Sequence, residues 1–161
     1  VGFGDGAIAP FRLQPGECEQ RGFTFGVEAH DDGRWRLNNH KYGLAKFYDW
    51  GGPDEAAMAE RCHRLQTAPD SAFVQNAVAG RHTPDGVISL IGRTLRTVQP
   101  DGVPRILIES ADEYVAVLKD RFDLDLPQAA DLWPAICIRH EEVMAAQAEA
   151  KAAAAATASA P

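Results

Sequence analysis

The sequence predicts an α+β fold in which an antiparallel β-sheet or small β-barrel is followed by an α/β lid with a three-strand meander and helices. Apolar and polar residues alternate along residues 22–37, which is typical of a strand pair with one buried face. Two Pro-Asp-Gly turns, at Pro84 and Pro100, enclose a further strand. Apolar residues then recur at helical spacing between Tyr114 and Phe122. The predicted organisation is a β domain over residues 1–52, an interdomain helix over 53–68, a lid over 69–140 and an alanine-rich, disordered tail over 141–161.

Length and charge limit the kinds of protein that fit. The 161 residues suffice for one domain with a hydrophobic core or for two small lobes. A formal net charge of −7 argues against nucleic acid or an anionic membrane as a partner, because like charges repel. No apolar run approaches the roughly 20 residues of a membrane-spanning helix, and no secretory signal pattern opens the chain. The expected compartment is the cytoplasm.

The first domain begins with glycine at alternate positions and then forms strands. The glycine-rich start permits tight turns or the close approach of a ligand to the backbone. It lacks the strand and helix context of a dinucleotide-binding loop, so a plain loop is the favoured interpretation. Phe23, Phe25 and Val27 define the buried face of a hairpin that returns through Trp35. Residues 42–48 continue the alternation and predict a third strand.

A helix is predicted to start at Pro53 and to end before the proline at position 69. Proline is tolerated in the first turn of a helix, and the two acidic residues that follow are favoured by the helix dipole there. Met58, Cys62 and Leu65 form a stripe at helical spacing. Such a stripe usually packs into a core, so these three side chains are expected to be buried.

The lid contains the two proline turns, an apolar run and a capped helix. The first turn is predicted to form a β-hairpin, residues 87–95 follow it as one strand, and residues 106–108 form a continuous apolar run. Ser110 and Glu113 form a capping box at the start of the helix. Beyond residue 141 alanine dominates, which favours helix but provides no apolar face to pack against. The tail is therefore expected to be a frayed helix that passes into disorder.

The cysteines and histidines show no catalytic or metal-binding spacing. Cys18, Cys62 and Cys137 match neither a disulfide framework nor a zinc site. Cys62 lies beside His63, but neighbours on a helix do not face each other, and a buried apolar cysteine is the favoured interpretation. A Walker loop and a serine nucleophile elbow are also absent from the sequence. No metal is expected, and four histidines are interpreted as surface or capping residues: His30, His40, His82 and His140.

Several short motifs, in order and in register, resemble the arylamine N-acetyltransferase family. Val1-Gly2-Phe3-Gly4 and the hairpin that ends in Trp35 are similar to the region just after the family's catalytic aspartate. The remaining similar motifs belong to the lid and its helix: Leu65-Gln66-Thr67, Pro69, Ser71, Phe73, Thr83-Pro84-Asp85-Gly86-Val87, Leu90 through Leu95, and Ser110 through Phe122 with its end at Arg121-Phe122-Asp123-Leu124. The resemblance extends over most of residues 1–126 and implies the family's cysteine-protease-like acetyltransferase fold, in part.

The resemblance implies acyl transfer by a ping-pong mechanism with a Cys-His-Asp triad. The cysteine thiolate takes acetyl from acetyl-CoA, and an arylamine, arylhydrazine or N-hydroxyarylamine then attacks the acetyl-cysteine. The histidine moves the proton, and the aspartate orients the histidine. In the family's pattern the aspartate stands immediately before Val1, and the cysteine and histidine lie further upstream. The chain is therefore expected to contain no catalytic residue, to lack the N-terminal helical domain and to be inactive alone.

The resemblance also implies that the chain supplies binding walls. An aromatic ring and bare backbone suit a flat arylamine, and the residues expected to line the acceptor pocket or its rim are Phe3, Gly4, Asp5 and Ala7. Core packing is the alternative for the aromatic ring. Thr67 and Ser71 are expected to contact coenzyme A through their hydroxyls. A plain helix-to-strand loop would explain this segment equally well.

A second interpretation is a non-catalytic binding or interaction module, for instance a subunit that pairs with a triad-bearing partner. The sequence begins with Val1 rather than methionine, so a processed chain or a fragment is expected. The reading frame just upstream of Val1 distinguishes the two interpretations. An open frame that ends in aspartate, after a cysteine in an Arg-Gly-Gly context, indicates a truncated enzyme, whereas a start codon favours the module.

Overall fold

The computed structural model describes residues 6–52 and 54–158, with side chains up to residue 155. In this part of the chain two four-stranded antiparallel sheets are each followed by helices. The first sheet contains β1 (Gly16–Gln20), β2 (Phe23–Ala29), β3 (Trp35–Asn38) and β4 (Phe47–Trp50). The second sheet contains β5 (Val78–Thr83), β6 (Gly86–Ile91), β7 (Thr94–Val98) and β8 (Arg105–Leu107). The helices are α1 (Glu55–Thr67), α2 (Ala72–Gln75), α3 (Ala111–Phe122) and α4 (Trp133–Ala158), with a 3₁₀ segment at Pro127–Leu132.

The first sheet is an open meander in the order β1-β2-β3-β4, so the described strands form a sheet rather than a barrel. The predicted hairpin is confirmed as β2 and β3. Strand β1 was not predicted; it pairs with β2 across a two-residue turn in which Arg21 and Gly22 have φ of 52° and 77°. Positive φ at both positions matches the twist of the flanking strands. The third predicted strand begins only at Phe47, because the preceding residues form turns in which Asn39 Nδ2 donates to the Ala45 carbonyl at 3.0 Å.

A bidentate ion pair joins the last two strands of this sheet. Arg36 and Asp49 are register partners on β3 and β4, and Arg36 Nε and Nη2 donate to the two carboxylate oxygens at 2.6 and 2.8 Å. These hydrogen bonds hold the pKa of the Asp49 carboxyl below its usual range. The guanidinium also lies 3.9 Å from the centre of the Phe47 ring. The pair therefore fixes the register of the edge strand β4.

The second sheet has four strands in the order β5-β6-β7-β8, which corrects the predicted three-strand meander. Both proline turns are confirmed. The first joins β5 to β6 with Thr83 opposite Gly86, and the second is closed by reciprocal backbone bonds between Gln99 and Gly102 at 2.9 and 3.2 Å. The fourth strand arises because the single strand predicted over residues 87–95 is two strands, β6 and β7, joined by a two-residue turn in which Gly92 has φ of 53°. Strand β5 is the first strand of the hairpin predicted at the first proline turn.

Two hydrophobic clusters hold the structure together, and β6 belongs to both. The sheet core joins the two sheets and consists of Phe23, Phe25, Val27, Leu37, Val87 and Val98. The lid core lies between the second sheet and the helices and consists of Ile88, Leu90, Leu95, Ile108, Tyr114, Leu118, Phe122, Ala129 and Ile136. Successive side chains of a strand point to opposite faces of the sheet. Val87 therefore packs in the sheet core, and Ile88 packs in the lid core. Burial on both faces makes β6 the central strand of the fold.

Helix α3 confirms the predicted capped helix. Ser110 Oγ accepts the Glu113 amide at 3.1 Å, and the Glu113 carboxylate accepts the Glu109 amide at 2.8 Å. This is a variant of the capping box in which the glutamate reaches one residue further back than the cap. Tyr114, Leu118 and Phe122 are its buried face. Burial raises the pKa of the Tyr114 phenol.

The buried stripe predicted for α1 is wrong for the described part of the chain. Asp54 caps the helix by accepting the Ala57 amide at 3.0 Å, but α1 has no buried residue. Met58 is 65% exposed, and Cys62 is exposed instead of being the buried thiol that was expected. The reason is that α1 packs mainly with the short α2 and not with either core. An apolar stripe shows that one face of a helix is suited to burial, but the described residues do not cover this face of α1.

Helix α4 continues to Ala158, whereas the sequence predicted a frayed helix that passes into disorder. Its first turns are anchored because Ile136 belongs to the lid core and Trp133 packs against Tyr114 with ring centres 5.9 Å apart. The alanine-rich part that follows is exposed, so its helical form rests on intrinsic propensity rather than burial. Of the helices in residues 6–52 and 54–158, none is long and apolar enough to cross a membrane.

Candidate functional site

The start of the chain leads into the junction of the two sheets. Phe3 and Gly4, predicted to line the acceptor pocket, and Asp5, predicted near its rim, lie outside the described residues. Ala7, predicted near its rim, is half-buried and packs against the sheet core. Gln20 at the end of β1 fixes this segment, because its side-chain oxygen accepts the Ile8 and Ala9 amides at 3.1 and 3.0 Å and its nitrogen donates to the Ala9 carbonyl at 2.9 Å.

A small cleft lies at this junction. Its lining residues come from the first segment, the first sheet and the β5–β6 hairpin: Gly6, Ile8, Gln20, Arg21, Phe23, Phe25, His40, His82, Gly86 and Val87. Arg21 donates to the Thr83 carbonyl and so ties the β1–β2 turn to the hairpin. The cleft holds only about 10 Å³, room for roughly one water, whereas ligand pockets usually have about 300–1,000 Å³. The described residues therefore form one aromatic wall and not a complete acceptor pocket.

His40 is part of this wall, and its position corrects the prediction of a surface or capping histidine. Only 5% of the residue is exposed. Its ring packs against Phe23 and Phe25, with centroid separations of 4.5 and 5.6 Å. Its Nδ1 accepts the Tyr42 amide at 3.3 Å. The histidine was placed on the surface because the residues around it carry no apolar alternation, and only the folding of the β3–β4 connection over the sheet core buries it.

The α1–α2 connection brings together Thr67 and Ser71, the two residues predicted to contact coenzyme A. Ser71 is buried and caps α2, where its hydroxyl donates to the Leu65 carbonyl at 2.6 Å and accepts the Phe73 amide at 3.3 Å. Thr67 is exposed, and its hydroxyl donates to the His63 carbonyl at 2.8 Å. The Ser71 hydroxyl proton is thus engaged within the loop, while the Thr67 oxygen keeps its lone pairs on the surface.

Replacing Ser71 by alanine is expected to lower the free energy of unfolding by about 1–2 kcal/mol, because a helix cap is lost and the Leu65 carbonyl loses its donor. Thr67→Ala, a hydroxyl deletion in the same connection, is the matched control and is expected to stay within about 0.5 kcal/mol because Thr67 is exposed. Urea denaturation of both variants measures the difference. Equal stability of the two variants would show that the Ser71 hydroxyl has no structural role.

The three thiols lie on three different elements. Cys18 is half-buried on β1, Cys62 is exposed on α1 and Cys137 is half-buried on α4. Cys62 Sγ accepts a hydrogen bond from Gln66 at 3.0 Å. Within residues 6–52 and 54–158, histidine, cysteine and acidic side chains form no group of three that could hold a metal ion.

Sequence reasoning missed a second, larger concavity. It lies between the second sheet and α4 and has a volume of about 350 Å³. Its polar lining includes Thr94 and Arg96 of β7, Arg105 of β8, and Arg139 and His140 of α4. The sequence offered little signal, since Arg96 lies in the mixed segment Thr94–Val98, which also contains two threonines. Two of the other polar lining residues, Arg139 and His140, are far from Arg96 in the sequence, so only the fold brings them together.

Comparison with solved structures identifies the fold of the chain. The chain aligns with the arylamine N-acetyltransferase of Mycobacterium abscessus with a TM-score of 0.71 and 21% identity over 85% of this chain and 53% of that one. The Nocardia farcinica enzyme gives a TM-score of 0.67 and 25% identity over 83% and 50%. The Mycobacterium marinum enzyme in complex with CoA gives 0.65 and 23% over 80% and 49%. The fold is thus that of arylamine N-acetyltransferases, over about half of their length.

The sequence comparisons then establish the family. A family model described as N-acetyltransferase matches residues 1–131. The curated arylamine N-acetyltransferase pineal gland isozyme of Gallus gallus is 35% identical over 77 residues, which cover 45% of this chain and 26% of that protein. The chain belongs to the arylamine N-acetyltransferase family, and the family resemblance seen in the sequence is confirmed.

Proposed function

We propose that this chain forms the sheet and lid part of an enzyme that transfers acetyl from acetyl-CoA to arylamines, arylhydrazines or N-hydroxyarylamines. The observation that carries the proposal is the family match over residues 1–131, which includes both sheets and α3. The CoA complex of the M. marinum relative supports coenzyme A as the acyl carrier. The chemistry is a ping-pong exchange in which a cysteine thiolate attacks the thioester, releases coenzyme A and then passes the acetyl group to the acceptor nitrogen.

The proposed triad comes from residues that precede Val1 in the intact enzyme. The cysteines of this chain support this assignment by their positions, because they lie on three separate elements and Cys62 Sγ contacts a glutamine. A thiolate nucleophile requires a histidine base in hydrogen-bond range and a third group that orients the histidine. The role left for this chain is to position substrates.

The proposed acceptor wall is the segment that includes Phe3, Gly4, Asp5 and Ala7. Gln20 supports the proposal, since its three hydrogen bonds hold Ile8 and Ala9 at the junction of the two sheets. The cleft lined by Gly6 and Ile8 has an aromatic floor of Phe23, Phe25 and His40, which suits a planar ring. For coenzyme A, Thr67 is a better candidate than Ser71, because Thr67 is exposed whereas Ser71 is buried. Both hydroxyl protons donate to backbone carbonyls, so the Thr67 oxygen would accept a hydrogen bond from an N–H or O–H of the ligand.

The chain purified alone is expected to show no acetylation of an arylamine by acetyl-CoA, because the proposed triad is not part of this chain. The assay follows loss of the arylamine and release of free coenzyme A. A variant with all three cysteines replaced by serine is the control, and it should be indistinguishable from the unmodified chain. Turnover that survives these substitutions would contradict the proposed mechanism, and turnover that requires one of the cysteines would contradict the triad assignment.

The non-catalytic module is distinguished by a separate observation. An open reading frame upstream of Val1 that ends in aspartate and contains a cysteine in an Arg-Gly-Gly context supports the enzyme. A start codon at that point supports a subunit that pairs with a triad-bearing partner. The chain's coverage of only about half of its solved relatives is compatible with both arrangements.

A further inference from the structure

We infer that the concavity between the second sheet and α4 is a binding site for a phosphate-bearing small molecule. We call it the basic concavity and define it by Thr94, Arg96, Arg105, Arg139 and His140. The inference does not depend on the proposed acetyl transfer. It rests on the pairing of charges across the strands, on the absence of carboxylates in the lining, on unsatisfied polar atoms and on the size of the space.

The strand register places two arginines side by side. Arg96 of β7 and Arg105 of β8 are direct partners, so their side chains project from the same face of the sheet. Like charges directly opposite each other in an antiparallel pair are destabilising. Arg96 is also only 8% exposed, and its guanidinium donates to the Tyr42 carbonyl at 3.3 Å. An anion bound between the two guanidinium groups would turn this repulsion into attraction.

The third arginine comes from α4 and is held in place. Arg139 donates from Nη2 to Gln75 at 2.7 Å and from Nη1 to Glu142 at 3.0 Å. Glu142 offsets part of its charge but does not line the space. None of the residues that line the basic concavity is aspartate or glutamate. In a chain with a net charge of −7, a lining of three arginines and no carboxylate is a local excess of positive charge that attracts anions.

In the described part of the chain, two polar atoms at or beside the three arginines are buried without a hydrogen-bond partner. One is Arg139 Nε. The other is the hydroxyl of Ser89, which is 5% exposed and is the register partner of Arg96 on β6. Buried polar atoms are nearly always satisfied in folded proteins. A bound oxyanion supplies an acceptor for the Arg139 Nε–H, because Arg139 lines the concavity, whereas Ser89 lies beside Arg96 on the next strand and outside the lining.

The size and the rest of the lining define the ligand class. A volume of about 350 Å³ lies in the range of small-molecule sites. Leu44, Val143 and Met144 contribute apolar surface to the same lining. Planar guanidinium groups match phosphate oxygens in a bidentate manner. The geometry therefore fits a phosphate or diphosphate group that carries a modest organic part.

Calorimetric titration of the full chain with inorganic pyrophosphate, at constant ionic strength set with sodium chloride, tests the inference. Pyrophosphate is expected to bind, and Arg105→Gln is expected to weaken binding roughly tenfold, the loss typical of one charge-assisted hydrogen bond. Arg81→Gln is the matched control, because Arg81 is an exposed arginine on the other edge strand, β5, and lies outside the lining. It should leave the affinity unchanged.

A second variant on another element makes the result independent of one substitution. Arg139→Gln, on α4, is expected to weaken pyrophosphate binding by a similar factor, with circular dichroism confirming that the fold is retained. Absence of pyrophosphate binding, or equal losses in Arg105→Gln and Arg81→Gln, would overturn the inference. Competition by coenzyme A would assign the site to the phosphates of the acyl carrier. Binding of pyrophosphate without such competition would assign the site to a different phosphorylated molecule.

Discussion

Replacing Gly86 by alanine is expected to lower the free energy of unfolding by about 3 kcal/mol, near the upper end of what overpacking costs. Gly86 opens the central strand with φ of 156°, a conformation that residues with a Cβ rarely adopt. A Cβ there would overlap the Val98 carbonyl oxygen on β7, which is backbone and cannot rotate away, and would touch the Phe23 ring at 3.5 Å. The strand must therefore shift, which disturbs its pairing with β7 and its packing on the first sheet. Urea denaturation followed by circular dichroism measures the loss.

The same hairpin offers a matched control at Gly80. No heavy atom lies within 4 Å of a Cβ built on Gly80, and its φ does not lie in the positive range. Gly80→Ala is expected to change stability by no more than about 0.5 kcal/mol, or to stabilise slightly by restricting the unfolded chain. Similar unfolding midpoints for the two variants would contradict the close packing of the β6 start against β7.

Leu90→Ala is expected to lower the free energy of unfolding by about 2–5 kcal/mol, the range found for truncation of fully buried leucines. Leu90 is 0% exposed and lies opposite Leu95 and Ala79 on the neighbouring strands. Its side chain belongs to the lid core, where the truncation would leave a cavity facing α3. Denaturation curves give the size of the loss, and hydrogen exchange of the β6 amides shows whether the loss is global.

Leu107→Ala provides the comparison for Leu90→Ala. Leu107 is also a leucine of the second sheet, but it lies on the edge strand β8 and is 46% exposed. The expected loss is below about 1 kcal/mol, because much less apolar area is removed from contact. If the Leu107 variant lost as much stability as the Leu90 variant, the lid core would not lie where the structure places it.

Strand β6 is the subject of both predictions because it links the first sheet to the helices of the lid. Val87 contacts the first sheet, and Ile88 and Leu90 contact the helices. A shift of β6 would therefore change the shape of the cleft at the junction of the two sheets, because Gly86 and Val87 line it. It would also reach the basic concavity through Ile91, which lies at the other end of the same strand.

Local signals in the sequence determined much of the fold. The period of two at Phe23, Phe25 and Val27 identified a buried strand face, and all three side chains are buried. The proline-glycine turns and the cap at Ser110 were found from residue types whose backbone preferences act within a few positions. The order of these motifs also indicated the arylamine N-acetyltransferase family, which the comparisons confirm.

Features that depend on distant partners were decided by the tertiary structure. Strand β5 forms because β6 offers it hydrogen bonds, although its own centre has no apolar pattern. The stripe on α1 has the pattern of a buried face yet is exposed, and His40 lacks such a pattern yet is buried. Burial depends on which surfaces meet, which a local pattern does not specify.

The candidate sites differ in the same way, since some consist of neighbouring residues and one joins residues that are far apart in the sequence. The acceptor segment and the Thr67 and Ser71 hydroxyls come from contiguous motifs of the family resemblance, and their roles stay predictions. The basic concavity joins Arg96 and Arg105 with Arg139 of a separate helix, and the repulsion between the first two exists only because the strand register aligns them. By itself, the sequence determined the family and the local elements, because these follow from residue type and spacing. The tertiary structure alone decided which charged groups and aromatic rings face one another. The reason is that contacts between residues far apart in the sequence set the distances between these groups.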